Sequence, residues 1–372
     1  MSATIFVAGM LGQPATGFGV QAADFLAALQ RVSSRPVRGL DMTPRLDGRF
    51  PDQRDWPGRD DVVIIVGGGP GVALFGGSPA RKISFTVWES TRLPDDWMIP
   101  LAMADEVWTP TDWGAGVLRD NGVDPARVHV VPEGVDDLLF QPHGDGLPLF
   151  AELGGFRFLH IGKAEPRKGT VELLHAFDRA FDEDEPVYLL LACHNRLMPG
   201  FDIVRFVENL ALRRRRWVVP VQPLPNRRDI AALYRSCDAF VMPSRAEGWG
   251  LPALEALASG VPTALTHFSG HTAFADAHNS VPIPFRLVPV APEALPYFVR
   301  GDGDYGEWAD PDIDGLAEVM RTMVRQRDVL RVRALRQATA IRQRFSWTAA
   351  ALKACDRIEQ VLARRLQAVA AC

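Results

Sequence analysis

The chain has 372 residues, of which 47% are hydrophobic and 23% charged, and its formal net charge is −4. That length is too great for one typical domain and comfortable for two, and the composition is that of an ordinary globular protein. The slight negative balance argues against a general affinity for nucleic acid or an anionic membrane, no window approaches a spanning helix, and MSATIFVAGMLG lacks the basic leader of a secretory signal.

Short apolar runs alternate with helical patterns from the start. TIFVAG (4–9) reads as a buried strand, and FGVQAADFLAALQ (18–30) as an amphipathic helix behind a glycine-rich loop. DVVIIVG (61–67), KISFTVWE (82–89) and EVWTP (106–110) are further strands, with a helical DDWMIPLAMAD between the last two. TDWGAGVLRDNG (111–122) reads as a helix opened by Thr111 or Asp112 and closed by Gly122, and RVHVVPEG (127–134) as the last strand of this half. VGGGPGVALFGGSP (66–79) reads as a long, mobile loop, without the Lys and Ser/Thr of a Walker motif. Strands alternating with helices imply parallel sheets joined by helical crossovers.

QPHGDGLPLFAELGG (141–155) is rich in Gly and Pro and breaks the pattern, so the linker is placed there. The alternation then restarts: strand 156–162, helix 170–181, strand 186–193, helix 203–213, strand 217–222, helix 227–237 and strand 238–244. PALEALASG follows as a short helix and VPTALTHFSG (261–270) as another strand, and three helical segments rich in Arg, Ala and Leu close the chain from about 312. The expected fold is α/β, two doubly wound domains with a ligand cleft between them. The boundaries are set at 1–145 and 146–345, with 346–372 as a closing helix. The first 145 residues are acidic and the rest weakly basic, which favours the second domain for an anionic ligand. Cys193, Cys237, Cys355 and Cys372 form no CxxC and no metal-ligand spacing, so reduced thiols in a cytoplasmic protein are expected.

Three stretches carry candidate chemistry. In GQPATGFGV (12–20), Gly17 and Gly19 lie between strand and helix, where backbone amides would cradle a phosphate or simply form a tight turn. In GKAEPRKG (162–169), Lys163, Arg167 and Lys168 cluster where a helix begins; cations oppose the dipole there and call for an anion such as a diphosphate. A solvated basic loop is the plain alternative. In AEGWGLPALEALASGVP (246–262), Glu247 lies in a glycine-rich loop and Glu255 in the first helical turn, with Pro252 at the first helical position. Two carboxylates suit vicinal hydroxyls of a ribose or a hexose, although acidic residues are also common in first turns. RRRR (213–216) reads as a solvated helix end, since no aromatic platform interleaves it. His160, His175 and His194 read as packed or surface residues, while His267 and His271 flank the region just after the 246–262 stretch and are placed to reach a sugar bound there.

EGWGLPALE resembles the E-x7-E element of retaining family-4 glycosyltransferases, and GKAEPRKGTVELLHAF resembles their G-R-x5-K-G segment, with Lys163 where an arginine is usual. VVPEGVDDLLFQP (130–142), LYRSCDAFVMPS and GEWADPDIDGLAEVM are similar to further elements of that family. The resemblance covers most of 127–325. It implies a GT-B fold, two facing Rossmann-like domains with the final helix crossing back to the first. It also implies a retaining transfer from a nucleotide-diphosphate sugar, with UDP-sugar favoured, to a hydroxyl of a sugar-containing or small-molecule acceptor, without metal or other cofactor. By that resemblance Glu255 holds the ribose and Glu247 the donor sugar. Lys163, Arg167 and Lys168 meet the diphosphate, Gly17 and Gly19 lend amides from across the cleft, and Gly248, Trp249, Gly250 and Leu251 line the sugar site. Where many relatives carry a His-Asp pair, this chain offers Trp88 and Glu89. Glu89 is read as a general base, as a hydrogen-bond partner of the acceptor, or as an ion pair with Arg92. A sugar-nucleotide epimerase and a nucleotide-sugar-binding regulatory protein are the rival functions; the first would want a dinucleotide fingerprint that is missing, and the second would have no need of Glu247 beside Glu255.

Overall fold

The structure, a computed structural model, describes residues 3–13, 16–43, 56–195, 198, 200–224 and 226–370. The chain divides into two units: residues 1–136 with 296–305 and 344–372, and residues 137–295 with 306–343. The contacts divide the chain at 136/137 and again at 343/344. A ten-residue excursion of the second half, 296–305, belongs to the first unit. It is held there by Arg92 Nε on Asp304 at 2.9 Å, by Gly301 N donating to Asp95 Oδ2 at 2.7 Å, and by Phe298 set edge-on to Trp88 at 4.6 Å. No periodicity betrays such a segment, because its partners lie some 200 residues away.

The first unit begins with β1 (Ile5–Gly9), α1 (Gly17–Val32), β2 (Val37–Asp41), β3 (Val62–Val66) and β4 (Arg81–Phe85). It continues with α2 (Met98–Ala102), β5 (Glu106–Thr109), α3 (Asp112–Asp120) and β6 (Val128–Val130). The strands form one parallel sheet in the order β2-β1-β3-β4-β5-β6. β1 and β3 are buried along their whole length, as central strands covered on both faces must be. β2 was not expected, since VRGLD is an edge strand with no apolar run. Thr16 caps α1 and Thr111 caps α3, each accepting from the amide three residues on. The glycine-rich stretch 66–79 is no mobile loop. Gly69–Phe75 winds into a 3₁₀ helix whose Val72 and Phe75 are fully buried, with Trp56 stacked on Phe75; the glycines suggested flexibility, but the two apolar side chains decide.

The second unit runs β7 (Phe156–Lys163), α4 (Thr170–Ala180), β8 (Val187–His194), α5 (Ile203–Glu208), β9 (Val218–Pro220), α6 (Arg227–Arg235) and β10 (Ala239–Met242). Then come α7 (Leu251–Ala258), β11 (Thr263–Leu265), β12 (Val281–Pro282), β13 (Phe285–Pro289), β14 (Glu307–Pro311), α8 (Ile313–Arg325) and α9 (Arg327–Arg344). Six strands form a second parallel sheet in the order β12-β11-β10-β7-β8-β9, while β13 and β14 pair antiparallel. The chain builds β8 and β9 on one side of β7, then crosses to its other side for β10 and β11. That makes β7/β10 the switch point, outside whose carboxyl ends ligands bind in open α/β sheets.

Arg214 overturns the reading of 213–216 as a solvated helix end. It is 1% exposed, with its guanidinium 5.3–5.6 Å from the ring centres of Phe177, Phe181 and Trp217 and Nη2 donating to the carbonyls of Glu185 and Val187. Helix α5 ends at Glu208, well short of this run. Cys193 and Cys237 are buried free thiols and Cys355 is a half-buried one; Cys372 lies outside the described residues. Among the described residues, no helix is long and apolar enough to cross a membrane.

The last helix, α10 (Trp347–Ala370), packs on α1 of the first unit. Trp347, Ala350, Ala351, Ala354, Ile358 and Val361 are buried at three- and four-residue spacing, which places them on one face. Arg357 Nε reaches Glu106 Oε2 at 2.7 Å, and the Trp108 indole N–H donates to the same oxygen at 3.0 Å. Glu106 is 1% exposed, so this pair is desolvated, whereas the Arg35–Glu359 pair beside it is partly solvated. Replacing Glu106 by Gln should therefore cost roughly 3–5 kcal/mol in urea unfolding, and Arg35→Ala only about 1 kcal/mol or less. Equal losses would mean that burial does not govern how α10 is held.

Candidate functional site

Two loops leave the switch point side by side. After β7, Pro166–Lys168 turns as a single 3₁₀ unit and Gly169 opens α4 at φ 63°. Glycine is required at 169, because a Cβ there would stand 2.2 Å from the carbonyl oxygen of Pro243. After β10, residues 243–250 turn into α7 through Gly250, at φ 100°. Neither α4 nor α7 has a side-chain cap, so both present backbone amides. The loops are bolted together: Arg245 N donates to the Arg167 carbonyl at 2.7 Å, and Arg167 Nη1 to the Ala246 carbonyl at 2.7 Å.

Where the loops meet, Lys168 Nζ lies 2.6 Å from Glu247 Oε1, and Arg167 Nη1 lies 3.1 Å from Glu247 Oε2. Lys168 is 8% exposed and Glu247 5%. Burial opposes ionisation of Glu247, but Lys168 and Arg167 outweigh it and hold the carboxyl well below the usual carboxylate range. Burial draws the Lys168 ammonium down, against the pull of Glu247. The cations at the start of α4 were expected to need an anion from outside; in this structure the chain supplies one.

Glu255 departs from expectation in one respect. Leu251 opens α7 and Pro252 comes second, so Glu255 stands in the second helical turn and the first turn holds no acidic residue. Its Oε2 lies 3.1 Å from the Tyr234 hydroxyl, and Oε1 lies 3.8 Å from Arg227. Burial and the Glu255 charge push the Tyr234 phenol up, so it stays a donor. Tyr234 and Arg227 carried no signal in the sequence, because only folding brings α6 against α7. Arg245, also unmarked, pairs with Glu172 at 2.6 Å and Asp310 at 2.9 Å, bracing the loop against α4 and β14.

Lys163 ends β7 and is exposed. Trp249 is buried edge-on to Phe274, Gly248 is buried, and Leu251 is half-buried as the first residue of α7. His160 is pinned between the Val241 carbonyl and Thr170, as a packed histidine should be. His267 bonds Ser280 at 2.8 Å, while His271 lies against Gly250. Gly17, Gly19 and Glu89 belong to the first unit. The Gly19 amide expected to serve a phosphate is taken by the cap, donating to Thr16 Oγ1 at 3.0 Å; Pro14 and Ala15 of that loop lie outside the described residues. Glu89 is half-buried in the segment after β4, where Arg92 carries its pair with Asp304. Among the described residues, no group of three or more His, Cys, Asp or Glu is placed to hold a metal ion.

The family described as Family 4 Glycosyltransferase in conflict systems matches residues 119–353. A curated relative, the MMP alpha-(1->4)-mannosyltransferase of Mycolicibacterium hassiacum, is 30% identical over 69% of this chain and 53% of its own length. The D-inositol 3-phosphate glycosyltransferase of Corynebacterium efficiens is 30% identical over 42% of this chain and 38% of its own. The chain thus spans about half of the first relative and less of the second. Among solved structures, sucrose-phosphate synthase from Thermosynechococcus elongatus superposes with a TM-score of 0.73 at 16% identity, covering 97% of this chain and all of that one. Anabaena HepE in complex with UDP and glucose gives 0.67 at 14%, covering 96% and 100%. At such identities the likeness establishes the fold, which is GT-B.

The buried histidines make a pH prediction. Burial pushes His160 down to about 4, whereas an unfolded imidazole titrates near 6.5. The unfolded chain therefore binds the proton first, so this stability is complete above about pH 6.5 and is lost as the pH falls towards 4. In urea titrations between pH 6 and 4.5, His160→Gln should flatten the loss by roughly 1.4 kcal/mol per pH unit. An unchanged slope would refute the neutral assignment.

Proposed function

Because the chain belongs to the family 4 glycosyltransferases, we propose that it transfers the sugar of a nucleotide-diphosphate sugar, UDP-sugar favoured, to a hydroxyl of a sugar-containing or small-molecule acceptor with retention of configuration. The observation that carries this reading is the convergence of two cations, two uncapped helix starts and one buried carboxylate at the switch point of the second sheet. A diphosphate presents the same oxygen-anion chemistry as the Glu247 carboxylate with more charge. On binding it takes over Lys168 and Arg167 by charge-assisted hydrogen bonds and leaves Glu247 to accept from the sugar hydroxyls. Glu255, oriented by Tyr234, accepts from the ribose hydroxyls.

In the transfer, charge develops on the leaving diphosphate, and Lys168 with the amides of α4 and α7 stabilises it where water is excluded. The leaving oxygen is then able to take the acceptor proton on the same face. Glu89 is proposed to assist by hydrogen-bonding or deprotonating that hydroxyl. The cations supply what a divalent metal otherwise would, so the reading requires no metal. The names of a mannosyltransferase among the relatives and of a UDP and glucose complex among the structures support a hexose nucleotide as donor.

Thermal unfolding with UDP, GDP, ADP and dTDP and the matching sugar nucleotides, with and without EDTA, tests this. A ligand at a hundredfold excess over its Kd stabilises by about 2.7 kcal/mol, so one nucleotide should raise the Tm irrespective of EDTA, and less so in Glu255→Ala. Glu247→Gln should keep that shift while turnover falls roughly 10- to 100-fold, the worth of a hydrogen bond to a charged group. No shift with any nucleotide and no transfer would return the choice to a binding protein or an epimerase, and full turnover in Glu247→Gln would remove Glu247 from the sugar site.

A further inference from the structure

The turn after β11 is built against Glu247 at some cost in backbone freedom. Ser269 adopts φ 53°, one of two non-glycine residues with positive φ among the described residues. That turn lets Ser269 Oγ accept from the Glu247 amide at 2.8 Å and Gly270 N donate to the Glu247 carbonyl at 2.8 Å. The next residue, His271, is thereby carried against Gly250. It is fully buried, its ring so close beneath Gly250 that a Cβ at 250 would stand 2.9 Å from Nε2 and 3.7 Å from Glu247 Cγ.

The protonation of this ring follows from its partners. Nδ1 lies 3.0 Å from the Thr266 carbonyl, which only accepts, so Nδ1 carries the proton. Burial pushes the ring down to about 4, so at neutral pH it is uncharged and Nε2 is an acceptor. No described residue donates to Nε2. A buried acceptor with no donor is rare enough to require an explanation, and this one sits beside the carboxylate read above as a sugar contact. The Nδ1–H answers the Thr266 carbonyl, but that bond asks nothing of Nε2.

We infer that His271 is a donor-sugar residue whose Nε2 accepts from a hydroxyl adjacent to the one that Glu247 reads, the two acceptors together recognising a vicinal pair. The inference rests on the glycosyltransferase reading. In the free protein the Glu247 carboxylate is held by Lys168 and Arg167; once a diphosphate takes the cations, that side chain is released to turn towards the sugar beside Nε2. The turn at Ser269 and the two backbone bonds hold the backbones of Glu247 and His271 together, so both side chains start from one fixed frame.

The test compares Kd values for UDP and UDP-glucose, then for GDP and GDP-mannose, by calorimetry on the whole chain. In His271→Leu the bare nucleotide should keep its Kd within twofold, which also reports that the variant is folded, while the sugar nucleotide weakens about tenfold. His271→Gln, whose amide oxygen restores an acceptor, should recover most of that loss. An unchanged ratio of the two Kd values in His271→Leu, or an equal weakening of both ligands, overturns the inference while leaving the glycosyltransferase reading in place. If His271→Leu does not fold, the same ratio read on His271→Asn, whose short amide cannot reach the hydroxyl, decides in the same way. If the wild type binds none of the four ligands, the functional reading falls and the inference with it.

Discussion

A lysine ammonium and a glutamate carboxylate 2.6 Å apart, each more than nine-tenths removed from water, fasten two loops that are distant in sequence. Either charge alone would be costly to bury, and truncating one strands the other. Arg167 adds a second cation and spends its remaining donors on the Ala246 carbonyl and on Glu165, so few of the group's hydrogen-bonding positions are left over. The consequence is a preorganised pair of cations answered by the carboxylates of Glu247 and Glu165. Such an arrangement balances its own charge within the chain.

The sheet beneath explains why these loops and no others meet. β7 starts the second unit and lies at the centre of its sheet; the chain adds two strands on one side before returning to the other. The loops after β7 and β10 therefore leave neighbouring strands on diverging paths, and the turn after β11 closes the third side. Glycines at 169 and 250 let helices start directly at these strand ends without a capping side chain. Around this frame, Arg245 with Glu172 and Asp310, and Arg214 among its aromatic rings, show how far charged groups are used inside this unit as braces. The first unit uses the same device in its own core, where Glu106 receives Arg357 from the last helix.

Much of the candidate site was legible because its signals are local. A strand end, a glycine, a cluster of cations and a helix start are all readable within ten residues, and so is the eight-residue interval from Glu247 to Glu255. What failed was equally instructive. The Gly69–Phe75 segment reads as loose from its glycines, but burial of Val72 and Phe75 orders it. Arg214 looked solvated because it stands in a run of arginines, and only the approach of Phe177, Phe181 and Trp217 makes a cation tolerable there. The Gly19 amide reads from the sequence as open to a phosphate, whereas in the folded chain it donates to the Thr16 cap.

By itself the sequence determined the alternation of strands and helices, the two-domain plan and the residues that carry charge at the second domain's strand ends, because hydrophobic period, capping and glycine placement act over a few residues. The tertiary structure alone decided that Glu247 answers Lys168 and Arg167, that Tyr234 and Arg227 flank Glu255, that His271 faces the same loop, and that residues 296–305 belong to the first unit. Those relations depend on strand order and on contacts between residues 21 to more than 200 positions apart. No local propensity encodes a partner at that distance; it is selected only when the whole sheet is assembled and its polar groups must find one another out of water.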